Sequence, residues 1–133
     1  MMRFLALLGT PSITLIALVA GYRLFSRRER TALLSFAAAL SLVLYGGTLA
    51  YFPFDLYRAG FSPWAPVVLA TIGIAIAPRS LPLALTILGA IVAYDIPLFR
   101  SVNLFDYVVD PILGLAAIAW ICILTFRRLY VML

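Results

Sequence analysis

The 133 residues of this chain are 65% hydrophobic, with a mean hydropathy of +1.14, and leave no room for a separate soluble domain. The net charge of +5 comes from ten arginines against five acidic residues, and the chain has no lysine or histidine. This excludes a Schiff-base lysine and histidine ligands for haem, copper or zinc, so we expect no cofactor. The single cysteine, Cys122, cannot form an internal disulfide or a metal cluster.

Five apolar segments follow one another along the chain, at residues 4–22, 32–52, 64–77, 81–98 and 111–126. About 20 helical residues cross a bilayer core about 30 Å thick, and continuous apolar runs do not fit the alternating pattern of a barrel strand. The sequence therefore predicts an all-α membrane protein with five transmembrane helices, folded as one domain over residues 1–133. The first segment also resembles a signal peptide. Because a basic loop and another apolar segment follow it at once, we interpret it as a retained helix.

The arginines predict the orientation of these helices, because short cytoplasmic loops are rich in positive charge. Residues 23–30 carry four arginines, which places this loop inside and the N-terminus outside. With five helices, the turn at residues 78–80 and the tail from Arg127 also lie inside, an N-out/C-in arrangement. The seven inner arginines are Arg23, Arg27, Arg28, Arg30, Arg79, Arg127 and Arg128, and the three outer ones are Arg3, Arg58 and Arg100. Four helices would bury Arg79 or move one terminus, so we prefer five.

Proline and its capping neighbours predict where several helices begin. A serine or aspartate before proline is typical of a helix start, as at Ser62–Pro63 and Asp110–Pro111, and Ser80 offers a similar cap. Thr10–Pro11 predicts a kink in the first helix. The third segment, residues 63–77, rises only about 22 Å at 1.5 Å per residue. We therefore expect it to form a tight hairpin with the fourth helix.

Two outer loops, residues 53–62 and 99–109, mix aromatic side chains with leucine, aspartate and arginine. This mixture favours segments that lie in the membrane interface. We expect the second loop, together with the hairpin of the third and fourth helices, to dock on partner subunits.

Asp95 is the ionisable residue whose position is most suggestive of function. It lies about one turn inside the outer end of the fourth segment, where a carboxylate is costly and often binds protons or cations. Asp95, with Arg100 nearby, is therefore a candidate ion-coupling site. The alternative is an interfacial carboxylate that is hydrated or paired with Arg100 or Arg58.

The other aspartates have simpler explanations. Asp110 is interpreted as the N-cap of the fifth helix. Asp106, and the pair of Asp55 with Arg58 at i to i+3 spacing, are interpreted as solvated loop charges.

Small residues recur at four-residue spacing and predict faces on which helices pack closely. The candidate helix-packing positions are Gly73 and Ala77 in the third segment and Gly89 and Ala93 in the fourth.

The sequence contains no phosphate-binding glycine loop, HExxH, CxxC or GxSxG motif, so we do not expect an enzyme. The arginines lie at helix ends rather than on one basic face, which argues against nucleic acid as a partner. The expected function is that of a non-catalytic subunit of a larger membrane complex, such as a respiratory, photosynthetic or other energy-converting one. Its expected partners are the lipid bilayer and other integral-membrane subunits, with no soluble ligand. The alternative is a small oligomeric transporter or channel that uses Asp95. The expected location is a bacterial or archaeal inner membrane, or an organellar inner membrane.

Overall fold

A computed structural model describes residues 11–51 and 53–132, which are helical and contain no strand. The described residues form six α-helices, which are α1 (Ile13–Ala20), α2 (Arg27–Thr48), α3 (Ala65–Ile76), α4 (Leu81–Asp95), α5 (Leu104–Val108) and α6 (Pro111–Met132). A 3₁₀ helix, Leu56–Phe61, lies between α2 and α3. The all-α prediction is confirmed for these residues. Two helices, α2 and α6, are long and apolar enough to cross a membrane.

The first described helix, α1, begins at Ile13. Ser12 before it is extended, with φ −68° and ψ 159°, and its hydroxyl oxygen accepts a hydrogen bond from the Leu15 amide at 3.2 Å. A helix cannot run through an extended residue, so the prediction that one kinked helix continues through Pro11 into α1 is wrong. The earlier part of the predicted segment, residues 1–10 with Arg3, lies outside the described residues.

The second helix begins earlier than the apolar pattern suggests, because a capping box starts it. The Ser26 hydroxyl accepts from the Glu29 amide at 3.2 Å, and the Glu29 carboxylate accepts from the Ser26 amide at 2.7 Å. These two bonds satisfy amides that a helix start otherwise leaves unpaired. Arg27, Arg28 and Arg30 therefore lie in the first turns of α2 rather than in a loop.

The second helix ends in a Schellman motif whose left-handed position holds alanine. Ala50 has φ 61°, and the amides of Ala50 and Tyr51 donate to the carbonyls of Gly47 and Gly46 at 3.0 and 2.9 Å. Glycine is the usual residue at this position because it has no Cβ to crowd the backbone.

Replacing Ala50 by glycine should therefore raise the free energy of unfolding by about 1 kcal/mol. The matched control is Ala39→Gly, an exposed position inside the same helix, which should lower it by about 1 kcal/mol. Thermal unfolding in detergent, followed by circular dichroism, measures both. Equal effects of the two substitutions would contradict the role given to the Ala50 backbone.

Helices α3 and α4 pack against each other as a hairpin around the turn at residues 77–80. The predicted cap at Ser62 is displaced by two residues. Trp64 precedes the first residue of α3, and the Ser62 hydroxyl instead accepts from the Trp64 amide at 3.3 Å. Ser80 does precede α4, but its hydroxyl makes no capping bond and is buried without a partner.

The core is built around the short helix α5, which packs on α1, α4 and the 3₁₀ helix. Its Leu104, Phe105, Tyr107 and Val108 side chains are buried, and so is the following Val109. The prediction that residues 99–109 form a docking surface is therefore wrong for residues 104–109. These side chains instead pack between α1, α4 and the 3₁₀ helix of their own chain.

The outside of the bundle is apolar, whereas several polar side chains are inside. Large exposed apolar residues occur on α3, α4 and α6, among them Val67, Leu85 and Phe126. Soluble monomers seldom expose so much contiguous apolar surface. This distribution supports membrane association, as the two long apolar helices do. The buried polar residues are Ser12, Thr14, Ser41, Thr86, Asn103 and Asp110.

Candidate functional site

Asp110 joins the start of α1 to the start of α6. Its carboxylate accepts from the Ser12 amide at 2.8 Å and from the Ser12 hydroxyl at 2.7 Å. Its other oxygen accepts from the Leu113 amide at 2.8 Å, which confirms that Asp110 caps α6. Asp110 is 2% exposed, so one buried carboxylate fixes the start of α1 to the start of α6. Next to it, the Thr14 hydroxyl donates to the Val108 carbonyl.

Asp106 lies nearby and has two hydroxyl partners. It accepts from the Tyr57 phenol at 2.8 Å and from the Ser101 hydroxyl. Burial, and then the hydrogen bond to Asp106, raise the pKa of Tyr57, so its phenol stays protonated and acts as the donor at neutral pH. Asp106 is half-buried and lies in α5, so it is a hydrogen-bonded helix residue rather than the loop charge that the sequence predicts.

Asn103 and Tyr107 extend these contacts into a polar cluster, which we define as Ser12, Tyr57, Asn103, Asp106, Tyr107 and Asp110. The Asn103 amide group donates to the Tyr57 carbonyl at 2.9 Å, while its oxygen accepts from the Phe105 amide at 2.9 Å. The Tyr107 hydroxyl donates to the Phe99 carbonyl at 2.8 Å. The carboxylates in this cluster are held by donors of their own chain, and the arrangement fixes α1, α5, α6 and the 3₁₀ helix together.

The two candidate ion-coupling residues are not brought into an ion pair. Asp95 is the last residue of α4, and both Asp95 and Arg100 are exposed. Within residues 11–51 and 53–132, the one salt bridge is between Arg58 and Asp55, at 3.4 Å. Their side chains are 85% and 32% exposed, so the solvated i to i+3 pair expected from the sequence is present.

The predicted packing glycines face neighbours in their own chain. Gly73 is buried on α3 opposite Ile87 and Leu88 of α4. Gly89, on α4, faces Ile13 of α1. The alanines four residues after these glycines differ in burial. Ala93 is buried, and Ala77 is half-buried at the end of α3.

A closer helix contact than those at Gly73 and Gly89 lies where α2 crosses α6. A Cβ added at Gly114 would lie 2.5 Å from the Ser41 hydroxyl oxygen and 3.3 Å from the Tyr45 ring. Ser41 is fully buried and its hydroxyl has no partner. On α2, Ala37 and Ser41 have the four-residue spacing of small residues, but on α6 the positions four residues from Gly114 are Asp110 and Ile118.

Several arginines lie at the end of the bundle opposite the polar cluster. A cavity of about 380 Å³ is lined by Arg28 and Glu29 of α2 and by Arg79 and Ser80 of the hairpin turn. The start of α2 and the turn between α3 and α4 thus share one end, which we call the arginine end. The polar cluster lies at the far end of α2, where Asp55 follows it and Pro111 of α6 lies beside Thr48.

Comparison of the chain with protein-family models, curated proteins and solved structures finds no match. The features that bear on function are the polar cluster at one end of the bundle, the arginines at the other and the apolar surface between them.

Proposed function

We propose that this chain is a small non-catalytic subunit of a larger membrane protein complex, in which it contributes to assembly or stability. The observation that supports this proposal is the uneven packing of α6. Leu113, Gly114 and Ala117, in its first half, are buried against the rest of the chain. Its second half has no buried residue among those described, and it is apolar as far as Phe126, after which Arg127 and Arg128 follow.

The free surface of α6 suits a neighbouring helix. Phe126 is 72% exposed and Tyr130 is 84% exposed, and Ile123 lies one turn before Phe126 on the same helix. Apolar side chains gain little by leaving lipid for another helix, so association in a membrane depends on shape and on hydrogen bonds. Ile123 and Phe126 supply the shape, and the Tyr130 hydroxyl, beyond Arg127 and Arg128, supplies a donor at the cytoplasmic side.

The proposal includes five membrane helices in an N-out/C-in arrangement. The arginine end is its cytoplasmic side, because Arg28 in the first turn of α2 and Arg79 in the turn between α3 and α4 both belong to the predicted inner face and line the same cavity. Helices α3 and α4 have 12 and 15 residues, fewer than the about 20 that a full crossing takes, so their hairpin sits in thinned bilayer or beside a partner. The membrane proposed is a bacterial or archaeal inner membrane, with an organellar inner membrane as the alternative.

Labelling of single cysteines should place the two ends on opposite sides of the membrane. Suitable positions are Leu24 and Val102, which are 84% and 72% exposed and make no side-chain hydrogen bond. Each is changed to cysteine in a Cys122→Ala background, because Cys122 is itself exposed. An impermeant maleimide added to sealed cells should label the Val102 position and spare the Leu24 position. Labelling of both positions from one side would contradict the arrangement.

Replacing Phe126 and Tyr130 by alanine should release the chain from its complex. Native gel electrophoresis of membranes in mild detergent should show the wild-type chain at the size of a larger assembly and the variant at its own size. The matched control is Val67→Ala with Val68→Ala, which removes exposed apolar side chains from α3 instead. Migration of the wild-type chain alone, or equal release by the control, would contradict the role of α6.

The transporter alternative depends on Asp95. Its carboxylate is exposed and makes no hydrogen bond or ion pair with a described residue, so no observation favours ion coupling there over simple hydration.

A further inference from the structure

A crevice opens between α1 and α6 near the arginine end, with α2 at its base. It has a volume of about 630 Å³. Its walls are Leu15, Leu18 and Val19 of α1, Leu34 of α2, and Leu113 and Ala116 of α6. It exists because α1 has 8 residues and the chain turns away after Gly21, whereas α6 has 22 residues. All six of these wall residues are apolar.

The mouth of the crevice carries two arginines, Arg23 and Arg30. The Arg30 guanidinium lies 4.5 Å from the centroid of the Tyr22 ring, and one of its nitrogens donates to the Tyr22 carbonyl at 3.2 Å. These contacts fix its position and leave most of its five N–H donors free. Arg23 is exposed.

Neither guanidinium has a carboxylate partner among the described residues. The nearest acidic residue in the sequence, Glu29, accepts from the Ser26 amide in the capping box, and the salt bridge that the structure describes is at Asp55. Two unpaired guanidinium groups at one end of an apolar crevice match an amphiphile with an anionic head and an apolar tail. Guanidinium groups bind phosphate through paired N–H donors, and basic pockets between membrane helices hold anionic lipid headgroups.

We propose that this crevice binds an anionic phospholipid. Its phosphate lies between Arg23 and Arg30, and one acyl chain lies along Leu15, Leu34 and Leu113. The bound lipid covers apolar surface that the short α1 leaves exposed. It also connects α1 to α6 near the arginine end, which is far from the polar cluster.

Native mass spectrometry of the isolated chain in mild detergent tests this, with dioleoyl phosphatidylglycerol and dioleoyl phosphatidylcholine as the probes. We expect phosphatidylglycerol to bind about tenfold more tightly, because the phosphate is then not neutralised by a choline group. The double variant Arg23→Gln/Arg30→Gln should lose this preference. The control Arg127→Gln/Arg128→Gln, which lowers the net charge equally, should keep it.

A second variant tests the apolar part of the site without changing its charge. Ala116→Phe fills the crevice and should weaken phosphatidylglycerol binding about tenfold, whereas Ala75→Phe, at an exposed position on α3, should not. Equal binding of the two lipids, or equal loss in the two arginine variants, would overturn the proposal. Displacement of the lipid by millimolar inorganic phosphate would show a phosphate site instead. Release of the chain from its complex by Ala116→Phe, with lipid binding unchanged, would show a helix-docking site.

Discussion

Replacing Asp110 by alanine should lower the free energy of unfolding by about 3 kcal/mol, because the change strands buried donors. The Asp110 carboxylate accepts hydrogen bonds from the Ser12 amide, the Ser12 hydroxyl and the Leu113 amide. Ser12 is fully buried, so its amide has no access to water when the acceptor is removed. Loss of the helix cap adds to the effect, since the carboxylate also lies at the positive end of the α6 dipole.

The effect should be concentrated in α1. This helix has 8 residues, and its start is held by the contact between Ser12 and Asp110. In Asp110→Ala, hydrogen exchange of the α1 amides should therefore accelerate more than hydrogen exchange of the α3 amides, because α3 makes no hydrogen bond to Asp110. Asp110→Asn keeps one acceptor oxygen and should show a smaller loss of stability.

Unfolding by sodium dodecyl sulfate in mixed micelles, followed by tryptophan fluorescence and circular dichroism, measures this loss. Asp95→Asn is the matched control, because Asp95 is exposed without a described partner, and the change should be within about 0.5 kcal/mol. A stable Asp110→Ala variant would show that the polar cluster is not a structural tie. Ion flux into vesicles that is present in the wild-type chain and lost in Asp95→Asn would favour the transporter alternative.

The sequence predicts the all-α fold class well, because apolar composition alone is sufficient for that prediction. A run of apolar residues without charges specifies a helix in lipid whatever its neighbours are, and α6 follows the predicted segment with its cap at Asp110 in place. The start of α2 can also be predicted from the sequence. Ser26 and Glu29 have the spacing of a capping box, but the arginines between and after them resemble a loop.

The polar cluster could not be predicted, because its contacts join distant parts of the chain. Ser12 and Asp110 are 98 residues apart, and Tyr57 and Asp106 are 49 apart. The burial of α5 was ambiguous for another reason. Leu104, Phe105 and Val108 suit a membrane interface as well as a protein core, and five residues are too few for periodicity to separate the two.

The spacing of small residues predicts the α3/α4 contact at Gly73, which is buried against α4, but it does not predict the close contact at Gly114. Four-residue spacing of small residues selected Gly73 and Gly89, where an added Cβ would have room, at 3.4 Å or more from its nearest neighbours. At Gly114, by contrast, the backbone of α6 lies directly on Ser41 of α2. Ser41 has a small residue, Ala37, one turn before it, but Gly114 has none at four-residue spacing, so the pattern is absent from α6.

Replacing Gly114 by alanine should therefore lower the free energy of unfolding by about 2 kcal/mol, although alanine is the better helix former. The new Cβ would lie 2.5 Å from the Ser41 hydroxyl oxygen and 3.0 Å from its Cβ, so α2 and α6 must move apart. The micelle unfolding experiment measures the loss. Gly89→Ala is the control, and because its nearest contact is Ile13 at 3.6 Å, it should be neutral or stabilising by up to about 1 kcal/mol.

A double-mutant cycle identifies the contact responsible. Ser41→Ala alone should cost almost nothing, because the buried hydroxyl has no hydrogen-bond partner to lose. Combined with Gly114→Ala, it removes the closer of the two clashes and should restore about half of the lost stability. Purely additive effects would mean that Gly114 acts through something other than Ser41. A recovery would establish this crossing as the place where the two long apolar helices are held together, and α6 could then extend its second half beyond the chain's own bundle.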